Sequence, residues 1–241
     1  MKETIRKIFL NLGADVCGFA AADRFADAPS NFGPSDIWNP CKTVIVFAIA
    51  LPKGLLEVKP DLIYEHFNSA ACPAVDKIAL FGAKLLEERF GGTCVPLPCD
   101  GPYDAWNAET LTGHGILSMK HAAVAAGLGT LGKNSLLLNK DFGNRLVPGA
   151  VLTDLELASD APAEPLCIPN CRKCLDLCPV HALDGVSANQ GLCRPNTYGT
   201  TPRGFDTVLC NKCRAVCPLR DGMKTCPPAQ RVQSEPLYIG R

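Results

Sequence analysis

Seven cysteines of the chain fall in two short stretches, "CIPNCRKCLDLCP" at 167–179 and "CNKCRAVCP" at 210–218, with Cys193 between them. Such spacing suits a loop wrapped round one face of an inorganic cubane, each thiolate presented to a separate iron. The iron–sulfur pattern is C-x2-C-x2-C-x3-C-P, whose fourth cysteine ligates the neighbouring cluster in two-cluster proteins. Cys171, Cys174, Cys178 and Pro179 match its later positions, while Cys167 stands one residue too far out. The second stretch keeps C-x2-C-x3-C-P through Cys210, Cys213 and Cys217, and borrows its missing ligand from Cys193. Eight thiolates suffice for two 4Fe–4S clusters. The reading assigns Cys167, Cys171, Cys174 and Cys217 to one, and Cys178, Cys193, Cys210 and Cys213 to the other. Structural zinc is the competing reading, because C-x2-C pairs also build tetrahedral sites. Disulfides are a third. The repeated x3-C-P ending favours iron–sulfur.

The rest of the chain agrees with a reducing compartment. The amino terminus "MKETIRKIFLNLGADVCGFA" is charged and then amphipathic rather than an export signal. Without such a signal, clustered cysteines among the 14 present point to metal or redox chemistry. No apolar run reaches the ~18–20 residues a membrane span needs. Lysine plus arginine equals aspartate plus glutamate at 24 each. A protein whose main task is holding nucleic acid carries a basic excess. A cytoplasmic location without membrane or nucleic-acid contact is expected.

Hydrophobic residues make up 47% of the 241, enough for a real core. Cys17, Cys41, Cys72, Cys94 and Cys99 are scattered through the first 160 residues, and nine cysteines crowd into 167–226. Just before the crowd, "LASDAPAEP" at 157–165 reads as a linker. Two domains are expected: 1–160, holding cofactor or substrate, and 161–241, a small ferredoxin-like domain with two clusters. In the first, Ile5, Ile8, Phe9 and Leu12 follow helical spacing. "TVIVFAIAL" at 43–51 reads as a strand buried on both faces. Residues 61–71 and 74–90 read as helices broken by Pro73, the second burying Ile78, Leu80, Phe81, Leu85 and Leu86. "GILSMKHAAVAAG" reads as helix, and "TCVPLP", "NSLLLN" and "RLVPGAVLTDL" as strands or extended segments. This order argues for an α/β or α+β core domain.

Residues 126–133, "AGLGTLGK", form a literal G-x-G-x-x-G followed by lysine. A dinucleotide loop leaves a strand and opens a helix, so that the helix amino terminus faces the pyrophosphate. Here the glycines follow a helix and run into a strand. A P-loop ends in Gly-Lys-Ser/Thr, but Asn134 follows Lys133. The stretch is therefore expected to be a helix-to-strand turn, with Gly127, Gly129, Gly132 and Lys133 lining a cofactor cavity.

Over much of 114–220 the chain resembles epoxyqueuosine reductase and its smaller relatives. The resemblance is carried by "AAVAAGLGTLGKNSLLLNKDFGNRLVPGAVLTDLEL", the first cysteine motif, "CPVHALDG" and "CNKCRAVCP", and more weakly by "LGADVCGFA". In that family a core domain holds a cobalamin beside two 4Fe–4S clusters, which deliver electrons for a reductive step on a modified tRNA base. Corrinoid reductive dehalogenases share the layout. The resemblance implies a cobalamin-using reductase fed by a low-potential donor of the ferredoxin or flavodoxin type, with a corrinoid or small molecule as substrate. It also places Tyr64 and His66, in "IYEHFN", where relatives carry polar residues near the cofactor.

Two departures limit the carry-over. The tRNA enzymes continue into a helical-repeat domain, whereas this chain stops at Arg241. They also carry an acidic proton donor before the glycine turn, and here no Asp or Glu lies between Glu109 and Asp141. Epoxyqueuosine is accordingly not the expected substrate. His114 and His121 flank the helix before the turn as acid–base or cobalt-ligand candidates, against the plainer reading of helix-end or surface histidines. Cys94 and Cys99 read as buried thiols, and Cys226 as a structural spare. The alternatives are a ferredoxin-like electron carrier without catalysis, or a flavin in place of cobalamin.

Overall fold

The computed structural model describes residues 1–58 and 61–223. In chain order the amino-terminal part runs α1 (Lys2–Asn11), β1 (Val16–Ala21), α2 (Pro34–Ile37), β2 (Thr43–Ala50), α3 (Asp61–Phe90) and β3 (Cys94–Leu97). There follow a hairpin of β4 (Tyr103–Asn107) and β5 (Thr112–Gly115), then α4 (Met119–Ala125), β6 (Thr130–Leu131), β7 (Leu137–Leu138) and β8 (Leu146–Thr153). The cysteine region adds α5 (Lys173–Asp176), α6 (Gln190–Thr197), β9 (Tyr198–Thr200), β10 (Asp206–Val208) and α7 (Lys212–Ala215).

Four strands form one sheet in the order β1-β2-β8-β3, every neighbouring pair antiparallel. Side chains alternate across a strand, and β2 shows why its run is apolar throughout. Ile45 and Phe47 enter a core with α1 and α3, where the Phe9 and Phe47 rings stack 4.9 Å apart. Val44, Val46 and Ala48 face the other way, against Ala122, Ala123 and Ala126 at α4. The result is helices on both faces of a central antiparallel sheet, a mixed α/β core.

The expected break at Pro73 is absent: α3 runs unbroken through it. Proline removes one backbone donor, but this helix is held along its length. Val75, Ile78, Ala79, Ala83 and Leu86 pack on the sheet, and Tyr64 and Ala71 pack against Val208. The buried face also differs from expectation. Leu80 and Phe81 are 49% and 48% exposed, because the helix turns Gly82 toward the Phe9 ring, where a Cβ would meet Cε1 at 2.5 Å.

Residues 157–165 have no secondary structure, yet they are tied down as a strap along β1. The Asp160 amide donates to the Phe19 carbonyl at 2.9 Å, and the Phe19 amide returns a bond to Asp160 Oδ2 at 3.1 Å. Lys2 Nζ at 2.7 Å and Arg6 Nη2 at 3.0 Å complete the ties to Asp160. Beyond the strap, α5 and α7 pack together, each a single turn at the middle of a cysteine motif.

Candidate metal and cofactor site

Cys167, Cys171, Cys174 and Cys217 line one cleft, together with Gly132 and Lys133. Two separate motifs therefore contribute to one group of thiols, as the x3-C-P step requires. Lys133 holds the first motif in place. Its ammonium donates to the carbonyls of Cys171 at 3.0 Å and Ile168 at 3.4 Å, and also to that of Pro169. Asn134 holds the second motif, with Nδ2 2.9 Å from the Cys213 carbonyl.

Burial pushes the Cys213 thiol up to about 11; nearby Arg214 opposes this, and the charges of Cys193 and Cys210 add to it. Cys174 of the first cleft adds to it as well, so Cys213 senses thiols of both assigned sets. Cys178 accepts from the Ala182 amide at 3.3 Å, and Cys193 Sγ lies 3.4 Å from Thr197 Oγ1. Among the described residues, no three His, Cys, Asp or Glu side chains converge tightly enough to hold a single metal ion. A four-iron cubane makes a different demand, one thiolate per iron, so its ligands stand apart around a cleft. The donor set round the cleft fits that group. Cys226 lies outside the described residues.

A cavity of about 870 Å³ adjoins the cysteine region. Its size is toward the upper end of the ~300–1,000 Å³ usual for ligand sites. Ser118, Lys120 and His121 at the start of α4 line it, as do His114 of β5, Asp100, Tyr103 and Pro148. Tyr198 and Arg214 bring the cysteine region to the same space. The β4–β5 hairpin is fixed to α6 by a paired contact. The Gly113 amide donates to Gln190 Oε1 at 3.0 Å, and Gln190 Nε2 donates to the Gly113 carbonyl at 3.1 Å.

His114 and His121 both reach this cavity. Burial, and then the neighbouring Lys120 charge, hold His121 below its ordinary value, so its ring is neutral near pH 7. Its Nδ1 lies 2.7 Å from Ser118 Oγ. Burial and then the Arg214 charge likewise lower Lys120, whose Nζ donates to the Ser135 carbonyl at 2.8 Å. Among the described residues, the carboxylates lining the cavity are Asp27 and Asp100.

Tyr64 and His66 are not among the lining residues. Tyr64 is buried beside Val208, and His66 is exposed with its ring edge-on to Phe67 at 5.1 Å. The glycine turn is also displaced from its expected place. It does connect a helix to a strand, α4 to β6. Gly127 (φ +73°) presses on the Ala161 carbonyl and Gly129 on that of Leu138, where any Cβ would collide. Neither lines the large cavity, and Gly132 and Lys133 face the four-cysteine cleft instead. Close packing, rather than ligand approach, accounts for the first two glycines. Sequence reasoning passed over Ser118, Lys120, Arg214 and the β4–β5 hairpin. Only Lys120 carried a signal, as a cation one residue before His121.

No protein-family model matches the chain. It is 32% identical over 262 residues to an epoxyqueuosine reductase of Lactococcus garvieae, an alignment spanning 93% of this chain and 71% of that protein. The solved epoxyqueuosine reductase of Streptococcus thermophilus superimposes with a TM-score of 0.63 at 20% identity, covering 95% of this chain and 69% of the other. The catabolic reductive dehalogenase NpRdhA gives a TM-score of 0.71 at 22% identity, over 92% of this chain and 32% of that larger one. At those identities the two structures speak to a shared fold.

Proposed function

The chain belongs to the epoxyqueuosine reductase family, and from that premise we propose that it is a reductase with two 4Fe–4S clusters beside a corrinoid cavity. The single observation that carries this reading is the joint lining of one cleft by Cys167, Cys171, Cys174 and Cys217, with a cavity of about 870 Å³ against the same region. Bound there, the iron–sulfur groups supply single electrons and the corrinoid supplies the low-potential reducing centre. We read the cysteine region as a small ferredoxin-like domain, on the strength of its two matching one-turn helices.

The residues of this chain have separable tasks in that scheme. Cys167, Cys171, Cys174 and Cys217 would hold one cluster, and Cys178, Cys193, Cys210 and Cys213 would hold the other. Lys133 fixes the loop of the first motif and keeps a positive charge beside it; Asn134 anchors the second. Proton-bearing groups at the start of α4 are Ser118, Lys120 and His121 rather than a carboxylate. For that reason the proposed substrate is a small molecule or corrinoid rather than epoxyqueuosine in tRNA, the electrons arriving from a ferredoxin- or flavodoxin-type donor.

The test is elemental analysis of anaerobically purified protein, incubated with hydroxocobalamin and desalted. About eight irons and one cobalt per chain are expected. Iron without retained cobalt would favour an electron carrier or a flavin site, and zinc without iron would overturn both.

A further inference from the structure

Cys72 and Cys99 are 27 positions apart (99 − 72) and belong to different elements, yet both open onto the large cavity. Cys72 sits in the middle of α3, and Cys99 in the segment just after β3. Each thiol shifts the titration of the other, as side-by-side thiols do. The segment is fixed to α3 one turn beyond Cys72, where the Cys99 amide donates to Asp76 Oδ1 at 2.8 Å. Cys99 Sγ also lies 3.4 Å from the Pro148 carbonyl.

The other described cysteines are differently placed. Cys17, Cys41 and Cys94 are buried in apolar clusters, and burial pushes their thiols up, Cys17 to about 12. The remaining eight are those assigned to the clusters. In the cavity pair, the influence of one thiol on the other dominates. It draws Cys72 below the ordinary thiol value and, with burial adding, pushes Cys99 above it. The lower-lying thiol of such a pair is the better attacking group near neutral pH, and its neighbour is placed to resolve the product.

We propose that Cys72 and Cys99 form a redox-active dithiol in the cavity wall, which closes to a disulfide by exchange with a small-molecule disulfide. The Cys72 thiolate attacks one sulfur of that disulfide, a mixed disulfide forms, and one small thiolate leaves. Cys99 then gives up its proton, its sulfur attacks the Cys72 sulfur, and the second small thiolate departs. In sum two S–H groups become one S–S bond. Two electrons and two protons leave on the small disulfide, which is released as two thiols. The closed form ties α3 to the segment after β3 across one side of the cavity. This inference rests on the cavity and its two thiols, and does not depend on a corrinoid or on the clusters.

The test uses the full chain, purified anaerobically with its iron, exposed to oxidised glutathione, blocked with iodoacetamide and digested with trypsin without reduction. A linked pair of the peptides spanning 54–77 and 90–120 is expected to rise from trace to the main form. It should vanish on treatment with a phosphine reductant, and iron per chain should stay unchanged. The second peptide also contains Cys94, so fragmentation between Cys94 and Cys99 assigns the sulfur in the unaltered protein. As a further check, the link should survive Cys94→Ser and be lost in Cys99→Ser. Equal alkylation of Cys72 and Cys99 before and after oxidation would overturn the proposal, as would a link assigned to Cys94.

Discussion

Lys133 lies in a sequence that reads like a nucleotide loop, yet its ammonium donates to three carbonyls of the first cysteine motif. Hydrogen bonds from a charged group contribute about 1.5–3 kcal/mol each when shielded, and less here, because two of the three are solvent-exposed. Lys133→Met is expected to destabilise the loaded protein by about 1–3 kcal/mol overall. It should also lower the midpoint potential of the adjoining cluster, since a nearby positive charge favours the more negative reduced state. Anaerobic denaturant titration and a spectroelectrochemical titration read the two effects, and an unchanged potential would leave Lys133 with a purely structural part. His121 offers a second test at this scale. Its ring is held below 6.5 by burial and then by Lys120, so the neutral form is the one the fold favours. The unfolded chain binds the proton more readily between that lowered value and 6.5. Stability linked to this ring is therefore complete above pH 6.5 and is lost as pH falls through the folded value. His121→Gln should flatten the melting-temperature profile over that window, while Lys120→Met, by letting the folded value rise toward 6.5, should make the loss smaller. A ring titrating at its ordinary value by NMR would contradict both.

Between residue and molecule, the strap 157–165 adds polar ties to the apolar packing that seats α1 on the core. Asp160 takes Lys2 and Arg6 from α1 and the Phe19 amide from β1. Burial pushes the Asp160 carboxyl up, but the hydrogen bonds and charges of Lys2 and Arg6 outweigh it, and the group ends below its ordinary 3.8. A depressed carboxyl contributes stability that is present above the unfolded value and is lost as pH falls through the folded one. Asp160→Ala should cost about 1–3 kcal/mol near pH 7, read as a shift in urea midpoint. The difference from the parent should narrow as pH falls through the lowered folded value of this carboxyl. Elements whose signal is local were readable beforehand: the run "TVIVFAIAL" gave β2, and the cysteine spacing gave the paired motifs around α5 and α7. Elements decided by distant packing were not. Pro73 argued for a break, but Val75 to Leu86 bind to the sheet strongly enough to carry the helix through. The β4–β5 hairpin has no apolar alternation to announce it, because it is held by Gln190 and by Arg194 over the rings of Tyr103 and Trp106. The Cys72–Cys99 pair was hidden for the same reason, being made by the fold rather than by spacing.

At the scale of the whole molecule, the two parts of the chain are stabilised by different physics. The four-stranded sheet has apolar cores on both faces. Among described residues 161–223, by contrast, the only buried hydrophobic side chains are Ala182 and Val208. So little apolar burial cannot offset the backbone entropy of some sixty ordered residues, roughly 1–2 kcal/mol each. The region is fastened to the first part by directed polar contacts. Asn144 Nδ2 donates to the Arg214 carbonyl at 3.0 Å, Arg214 donates back to the Asn144 carbonyl, and Asn134 holds Cys213. Those contacts orient the region but do not supply a core. On the proposed reading, ligation of the thiols would supply it, as metal does in other small domains where binding and folding are one equilibrium. Stripping iron with a chelator under reducing conditions is therefore expected to split the molecule's behaviour. Backbone amides of 43–50 and 146–153 should keep their hydrogen-exchange protection, while those of 167–217 should lose most of theirs. The wall formed by Tyr198 and Arg214 would go with them, so the cavity should open even though the sheet beneath it persists. Uniform loss across both parts would mean that the sheet depends on the clusters as well. Full retention in 167–217 would mean that the polar contacts alone suffice, and the thiols would then need another explanation.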